Sequence, residues 1–121
     1  MIKGLRTAIY PAPDLPAAKA WYAQVFATEP YFDQPFYVGF NVGGFELGLI
    51  PDGMPGTTGS MVYWGVDDID AEVARITALG ATLPGAIQDV GGGIRTVELA
   101  DPFGNLLCLI ANPHFDLTAV R

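Results

Sequence analysis

The sequence predicts an α+β fold built from two βαβββ modules, and three observations lead to that prediction. A short β-prone segment followed by a capped amphipathic helix occurs twice, 54 positions apart. After each helix the chain returns to three β-prone segments separated by turn residues. Residues 51–60, rich in Gly, Pro, Ser and Thr, separate the two halves. We therefore expect a single domain over residues 1–121, with modules at 1–52 and 60–112 joined by this linker.

The first module begins with a β-prone segment at residues 5–10 and a helix predicted from Leu15 to Ala27. Asp14 is a candidate N-cap, and Pro16 is tolerated in a first helical turn. The apolar stripe of this helix follows helical spacing: Ala18, Trp21, Tyr22, Val25 and Phe26. The strands predicted after the helix are residues 30–34, 36–42 and 45–50, with the glycine pair at 43–44 as a hairpin turn.

The second module repeats this order from the strand predicted at Met61–Val66. Asp67 or Asp68 caps its helix, whose apolar stripe is Ile69, Val73, Ile76 and Leu79, with Gly80 as the stop. Strands are predicted at 83–89, 93–99 and 105–110, with a turn at the three glycines 91–93. Asp101, Pro102 and Gly104 suit positions one, two and four of a type I turn before the last strand. The tail after residue 111 is either a short helix or an arm that contacts a second copy.

Composition limits the classes of function. Half of the 121 residues are apolar and 16% are charged, which is typical of a globular protein. The net charge of −7, without a basic stripe, excludes nucleic acid as a partner. No apolar run reaches the roughly 18 residues that cross a membrane. The single cysteine, Cys108, cannot form an internal disulfide, which favours a cytoplasmic location. The acidity either favours a neutral or cationic ligand or only keeps the protein dissolved.

Four phrases give the chain a family resemblance: "TAIYPAPDLPAAKAWYAQVFA", "FELGLI", "YWGVDDIDAEVARITALGA" and "LADPFGNLLCLI". They resemble the vicinal oxygen chelate superfamily, which contains glyoxalases, bleomycin-resistance proteins, fosfomycin-resistance proteins and extradiol dioxygenases. The resemblance implies paired, curled mixed sheets around a concave cavity, with the helices on the outer faces. It also implies a homodimer, and a divalent metal held by His, Glu or Gln side chains from the first and last strands of each module.

The ligand positions implied by the resemblance fall on Thr7, Glu46, Met61 and Cys108. Only Glu46 keeps the expected chemistry, because a hydroxyl, a thioether and a thiol do not complete a set for a borderline divalent ion. We therefore expect no metal and no other cofactor in the cavity. The four side chains are instead expected to line a ligand-binding cavity.

Glu46 is the candidate catalytic residue, as a general base or a hydrogen-bond acceptor. In the strand 45–50, Phe45, Leu47 and Leu49 would lie under the helix, and Glu46 and Gly48 would face the cavity. The alternative is that Glu46 is a solvated strand residue.

Further candidate ligand contacts are Tyr63, which shares a strand face with Met61, together with Phe36, Phe40 and Arg95. The two phenylalanines stack on a planar ligand, close the core or form a dimer interface, since the sequence does not set their register. Arg95 pairs with Glu46 or Glu98, recognises an acid group, or lies on the surface. Cys108 is either a nucleophile activated by His114 or a small buried apolar side chain.

The predicted function is a metal-independent small-molecule-binding protein of the glyoxalase/bleomycin-resistance type that sequesters an unknown ligand. The alternative is a glyoxalase-like lyase or isomerase with a divergent or lost metal site, so the sequence leaves enzyme activity open. A third hypothesis is an assembly module that acts through its surface. The predicted partners are the small molecule and a second copy of the chain.

Overall fold

The computed structural model describes residues 1–120, which divide into two compact units, one over Met1–Pro55 and one that begins at Gly56. Each unit contains a four-stranded mixed sheet and one α-helix in the order βαβββ. The predicted α+β class with two βαβββ modules is therefore confirmed. Within residues 1–120, neither helix has the length and hydropathy needed to cross a bilayer.

The first unit contains β1 (Thr7–Pro11), α1 (Leu15–Val25), β2 (Phe32–Gln34), β3 (Tyr37–Val42) and β4 (Phe45–Ile50). Its sheet has the strand order β1-β4-β3-β2, with β1 parallel to β4 and the other pairs antiparallel. Gly43 and Gly44 connect β3 to β4, with φ values of 61° and 91°. This two-residue turn sets the register of the hairpin, because it places Val42 opposite Phe45.

Helix α1 starts where the sequence predicts, since the carboxylate of Asp14 accepts a hydrogen bond from the Ala17 N–H at 3.2 Å. The apolar stripe packs on one face of the sheet, where the Tyr22 ring contacts Tyr10 and the Phe26 ring contacts Phe40. The helix ends at Val25, two residues before the predicted end. The buried residues of α1 are Leu15, Ala18, Trp21, Tyr22 and Val25.

The second unit contains β5 (Tyr63–Gly65), α2 (Ile69–Ala78), β6 (Gln88–Gly91), β7 (Ile94–Ala100) and β8 (Leu106–Ala111), followed by a short 3₁₀ helix at Leu117–Ala119. Its sheet order, β5-β8-β7-β6, repeats that of the first unit. The carboxylate of Asp68 caps α2 by accepting from the Ala71 N–H at 3.1 Å.

Two strands of the second unit differ from the prediction. The strand predicted at 61–66 is only Tyr63–Gly65, so Met61 precedes it. The strand predicted at 83–89 lies at Gln88–Gly91, and only Thr82 forms an isolated bridge to Ala100 before it. Pro84 has no N–H to donate and Gly85 weakens extended structure, which explains why this segment leaves the ladder.

The turn before β8 is built around a buried carboxylate. Asp101 is 6% exposed and accepts hydrogen bonds from the N–H groups of Phe103 and Asn105, both at 2.8 Å. The Asp101 N–H in turn donates to the carbonyl of Asn105 at 2.8 Å. Gly104 has a φ of 93°, in the left-handed region that favours glycine. The side chain of Asp101 therefore fixes the loop that leads into the last strand.

Candidate functional site

The first sheet has one face under α1 and an opposite face that carries the polar candidates. Leu47 and Leu49 of β4 are fully buried on the helix side. Because side chains alternate along a strand, Glu46 and Gly48 lie on the opposite face. The register places Thr7 of β1 beside Glu46, and Gly39 of β3 beside Gly48.

Glu46 is half-buried and accepts two hydrogen bonds through the same oxygen. Tyr37 Oη donates to Glu46 Oε2 at 2.5 Å, and Thr7 Oγ1 donates to the same atom at 3.3 Å. Burial raises the pKa of the Tyr37 hydroxyl above its ordinary value, so this group remains a donor at neutral pH. No described hydrogen bond reaches the other carboxylate oxygen, Oε1. The arrangement fixes the carboxylate and leaves one oxygen to accept a further donor.

Two paired glycines make room for this cluster. A Cβ atom on Gly48 would lie 2.6 Å from Tyr37 Cζ and 3.0 Å from Cε2, so the tyrosine ring lies directly across this glycine. A Cβ atom on Gly39 would lie 3.2 Å from Glu46 Oε1 and 3.2 Å from Tyr31 Cε1. Tyr31 and the unbonded carboxylate oxygen are therefore neighbours above Gly39.

A chain of exposed aromatic rings extends from the Tyr37–Glu46 pair. Tyr31 and Phe36 are each 64% exposed, and Phe32 is 40% exposed. The Phe32 ring meets those of Phe36 and Tyr37 edge-on, with centroids 6.1 Å apart in both pairs. We name the set Thr7, Tyr31, Phe32, Phe36, Tyr37 and Glu46 the aromatic–carboxylate face. Such a face can stack a flat apolar group and orient it through a few polar atoms.

Two cations of the first unit, Lys19 and Arg6, have contacts other than Glu46. Lys19 of α1 pairs with Asp33 at 2.9 Å on the helix side of β2. Arg6 donates to the carbonyl of its neighbour Leu5. Within residues 1–120, no ion pair involves Glu46. The aromatic–carboxylate face therefore carries a negative charge that neutral hydroxyl groups hold in place.

The second sheet has different chemistry at the corresponding place. The register sets Cys108 between Tyr63 and Glu98. Burial, with the Glu98 charge as a smaller cause, raises the pKa of the Cys108 thiol to about 11. The pKa of Tyr63 is raised by burial, then by Cys108 and Glu98. At neutral pH Tyr63 is therefore a neutral phenol beside the neutral thiol of Cys108.

The structure supports the apolar interpretation of Cys108. The thiol is fully buried, and a raised pKa lowers the fraction of reactive thiolate. The His114 ring is held elsewhere, because its Nε2 lies 2.6 Å from the carbonyl oxygen of Gly92. The proposed activation of Cys108 by His114 does not occur in this arrangement.

Two other expected ligand contacts need correction. Phe40 is fully buried and contacts Phe26 of α1, so it belongs to the core and not to the aromatic–carboxylate face. Arg95 pairs with neither Glu46 nor Glu98. It makes two hydrogen bonds to Asp70 of α2, at 2.7 and 3.1 Å, beside a shallow cleft at the start of that helix. Both side chains lie on the helix side of their sheets because of strand parity.

The residues at the implied metal positions do not fit a divalent ion. Glu46 offers one carboxylate, Thr7 offers only a neutral hydroxyl, and Met61 is a 41% exposed thioether outside any strand. Cys108 is a buried protonated thiol at neutral pH. Within residues 1–120, no three His, Cys, Asp or Glu side chains are grouped to hold a metal. A catalytic zinc site uses about three such ligands.

Tyr37 and Tyr31 are not among the site residues expected from the sequence, although a signal for Tyr37 is present in the strand register. The Gly43–Gly44 turn pairs Val42 with Phe45 and therefore Asn41 with Glu46. Tyr37 lies four residues before Asn41 in the same strand, so its side chain is on the same face as Glu46. Tyr31 precedes β2, and its N–H donates to the carbonyl of Gly39 at 3.0 Å. No periodic pattern identifies that contact in advance.

Comparisons with known proteins agree on the fold. A family model described as "Glyoxalase-like domain" matches residues 7–110. The cadmium-induced protein CadI of Mycobacterium tuberculosis is 35% identical over 72 residues, which are 55% of this chain and 47% of that protein. The chain thus spans about half the length of this curated relative.

Two solved structures share the fold over nearly the whole chain. The fosfomycin resistance protein FosX of Listeria monocytogenes has a TM-score of 0.79 at 21% identity, covering 98% of each chain. The lactoylglutathione lyase of Agrobacterium tumefaciens has a TM-score of 0.76 at 22% identity, covering 94% of this chain and 98% of that one. At such identities the likeness concerns the fold alone.

Proposed function

The chain belongs to the glyoxalase-like domain family, and from that premise we propose that it is a metal-independent small-molecule-binding protein that sequesters its ligand on the aromatic–carboxylate face. The membership confirms the resemblance to the vicinal oxygen chelate superfamily. The observation that carries the proposal is the exposure of three aromatic rings on the same part of the sheet as a half-buried carboxylate, one oxygen of which no hydrogen bond within residues 1–120 reaches. Exposed rings grouped in this way are typical of a binding surface.

Metal independence rests on the donor set. The two groups that contact Glu46 are neutral hydroxyl groups, which are weaker ligands than the His, Glu or Cys thiolate side chains of catalytic metal sites. The position on β8 carries a thiol whose pKa of about 11 disfavours the thiolate form that binds metals. Binding would then come from burial of apolar area and a few oriented polar groups.

The test is what remains attached to the protein when it is purified without denaturation from its host. Native mass spectrometry should show an organic adduct at about one per chain, and elemental analysis should show no stoichiometric transition metal. A double substitution of Tyr31 and Phe36 by alanine should lose the adduct. The matched control, alanine at the exposed Phe115 and Leu117 of the tail, should retain it. A full equivalent of metal lost on Glu46→Ala would contradict the proposal.

A second candidate is a glyoxalase-like lyase or isomerase, favoured by the unbonded Glu46 Oε1. A carboxylate held by two donors on one oxygen can accept a proton on the other. Tyr37 would stay protonated and donate to the carboxylate. Turnover of a glutathione hemithioacetal by the purified protein, abolished in Glu46→Gln, would favour this candidate over sequestration.

We also propose a homodimer and a cytoplasmic location. Strand β2 lies at an edge of the first sheet with all three residues exposed, and β6 lies exposed at an edge of the second. Uncovered strand edges favour pairing with another chain. Analytical ultracentrifugation should give twice the 12.9 kDa chain mass, and a monomer at all concentrations would exclude the dimer.

A further inference from the structure

The charge of the aromatic–carboxylate face indicates which ligands it selects. Glu46 holds the negative charge, and its described contacts come from two neutral hydroxyl groups. The rings of Tyr31, Phe32 and Phe36 present exposed π-systems around it. A cation gains from both features, because it pairs with a carboxylate and is attracted to aromatic faces.

The geometry over Gly39 brings these two features to one point. Because Gly39 has no side chain, Glu46 Oε1 and the Tyr31 ring both pack over it, each 3.2–3.3 Å from the position that a Cβ atom would take. A ligand nitrogen that donates to Oε1 therefore also lies beside the Tyr31 ring. Oε1 is the oxygen without a described hydrogen bond, so no existing contact must break.

Three neighbouring polar groups have contacts that do not involve Glu46. Lys19 is paired with Asp33 on the helix side, and Arg6 contacts the Leu5 carbonyl. Asn41, on the same face as Glu46, uses its side-chain oxygen to accept from the Gly44 N–H. The chain carries a net charge of −7, which adds a long-range attraction for cations.

We propose that the aromatic–carboxylate face recognises a protonated amine attached to a flat apolar group, with the ammonium on Glu46 Oε1 and the flat group against Tyr31 and its neighbours. This inference rests on the proposed function, in which the face binds a small molecule. It adds the class of ligand and assigns Tyr31 as a contact for the cation.

Three probes of one shape test the charge preference. Tryptamine carries an ammonium, tryptophol replaces it with a hydroxyl, and indole-3-propionate replaces it with a carboxylate. We expect tryptamine to bind about tenfold more tightly than tryptophol at pH 7, the ratio that corresponds to about 1.4 kcal/mol. Indole-3-propionate should bind more weakly than both. Titrations followed by NMR should shift the signals of Gly39, Tyr31 and Glu46.

Glu46→Gln isolates the charge, because the amide oxygen still accepts from Tyr37 and Thr7 while the negative charge is removed. The variant should lose the tenfold preference for tryptamine and keep its affinity for tryptophol. Glu72→Gln on α2 makes the same chemical change in the second unit, and it should leave all three affinities unchanged. Circular dichroism and thermal denaturation of both variants check that they fold.

The outcomes separate the ligand class from the binding function. Equal binding of all three probes, unaffected by Glu46→Gln, would overturn the amine inference and leave small-molecule binding intact. Tighter binding of indole-3-propionate would overturn it as well. If no probe shifts the signals of the face at millimolar concentration, the amine inference is also overturned, and the native mass spectrum then decides the proposed function separately.

Discussion

The substitution Gly48→Ala tests whether the aromatic–carboxylate face is organised around an absent side chain. Gly48 lies within β4 and its φ is outside the left-handed region, so alanine meets no backbone strain. The new methyl group would instead occupy the space of the Tyr37 ring, 2.6 Å from Cζ. A tyrosine ring can rotate away, so we expect the ring to leave and its hydrogen bond to Glu46 to break.

Two opposing effects set the expected magnitude. Loss of a hydrogen bond to a charged group costs about 1.5–3 kcal/mol. Replacing a strand glycine by alanine returns about 0.5–1 kcal/mol through the lower entropy of the unfolded chain. The free energy of unfolding should therefore fall by about 0.5–2.5 kcal/mol, and tryptamine affinity should fall because Glu46 is no longer held.

Urea denaturation followed by the fluorescence of the buried Trp21 measures the change. Gly65→Ala is the matched control, because Gly65 is also a strand glycine and a Cβ atom there meets nothing within 4 Å. That variant should be neutral or slightly more stable. In a Tyr37→Ala background, Gly48→Ala should likewise become neutral or stabilising. Equal destabilisation with and without the tyrosine ring would refute the reasoning.

Four further outcomes follow from the same structure. Burial raises the pKa of Cys108 to about 11, above its ordinary 9.0, so the unfolded chain releases this proton at a lower pH than the folded protein does. The free energy of unfolding should therefore fall as pH rises from about 9 to 11. Cys108→Ala should reduce that fall. Native Cys108 should also react with a thiol reagent about 100-fold more slowly than the unfolded chain. Asp101→Ala should lower the free energy of unfolding by about 1.5–3 kcal/mol in a urea titration, because buried N–H groups lose their acceptor. Arg95→Gln should leave tryptamine affinity within about twofold, because the guanidinium pairs with Asp70; a tenfold loss would show that its placement has been misjudged.

The sequence predicted the parts of the fold that rest on local chemistry. Asp14 and Asp68 cap the two helices as expected, because a carboxylate before an apolar stripe satisfies free N–H groups of the first turn. The strand predicted at 83–89 was wrong, because Pro84 and Gly85 both disfavour extended pairing; the strand lies further along the chain, at Gln88–Gly91.

The candidate site was only partly predictable. Alternation in β4 placed Glu46 opposite the fully buried Leu47 and Leu49, as the burial of those residues confirms. The aromatic segment 31–40 gave no such result, because aromatic residues occupy both faces of its strands and obscure the period of two. The sequence therefore leaves the facing of Phe40 and Tyr37 open, and only Phe40 is expected from it as a ligand contact. Contacts such as that between Tyr31 and Gly39 depend on loop geometry that no residue pattern specifies.

The facing glycines Gly39 and Gly48 have a consequence for how this protein can change over time. Any replacement of either one adds atoms beneath the side chains that pack over them, so it would push Tyr37, Tyr31 or Glu46 out of place. Adaptation to a bulkier molecule must therefore occur at the exposed rings of Tyr31 and Phe36, which can be shortened without changing either glycine. Attempts to redirect this scaffold to new compounds should vary these exposed rings and keep both glycines.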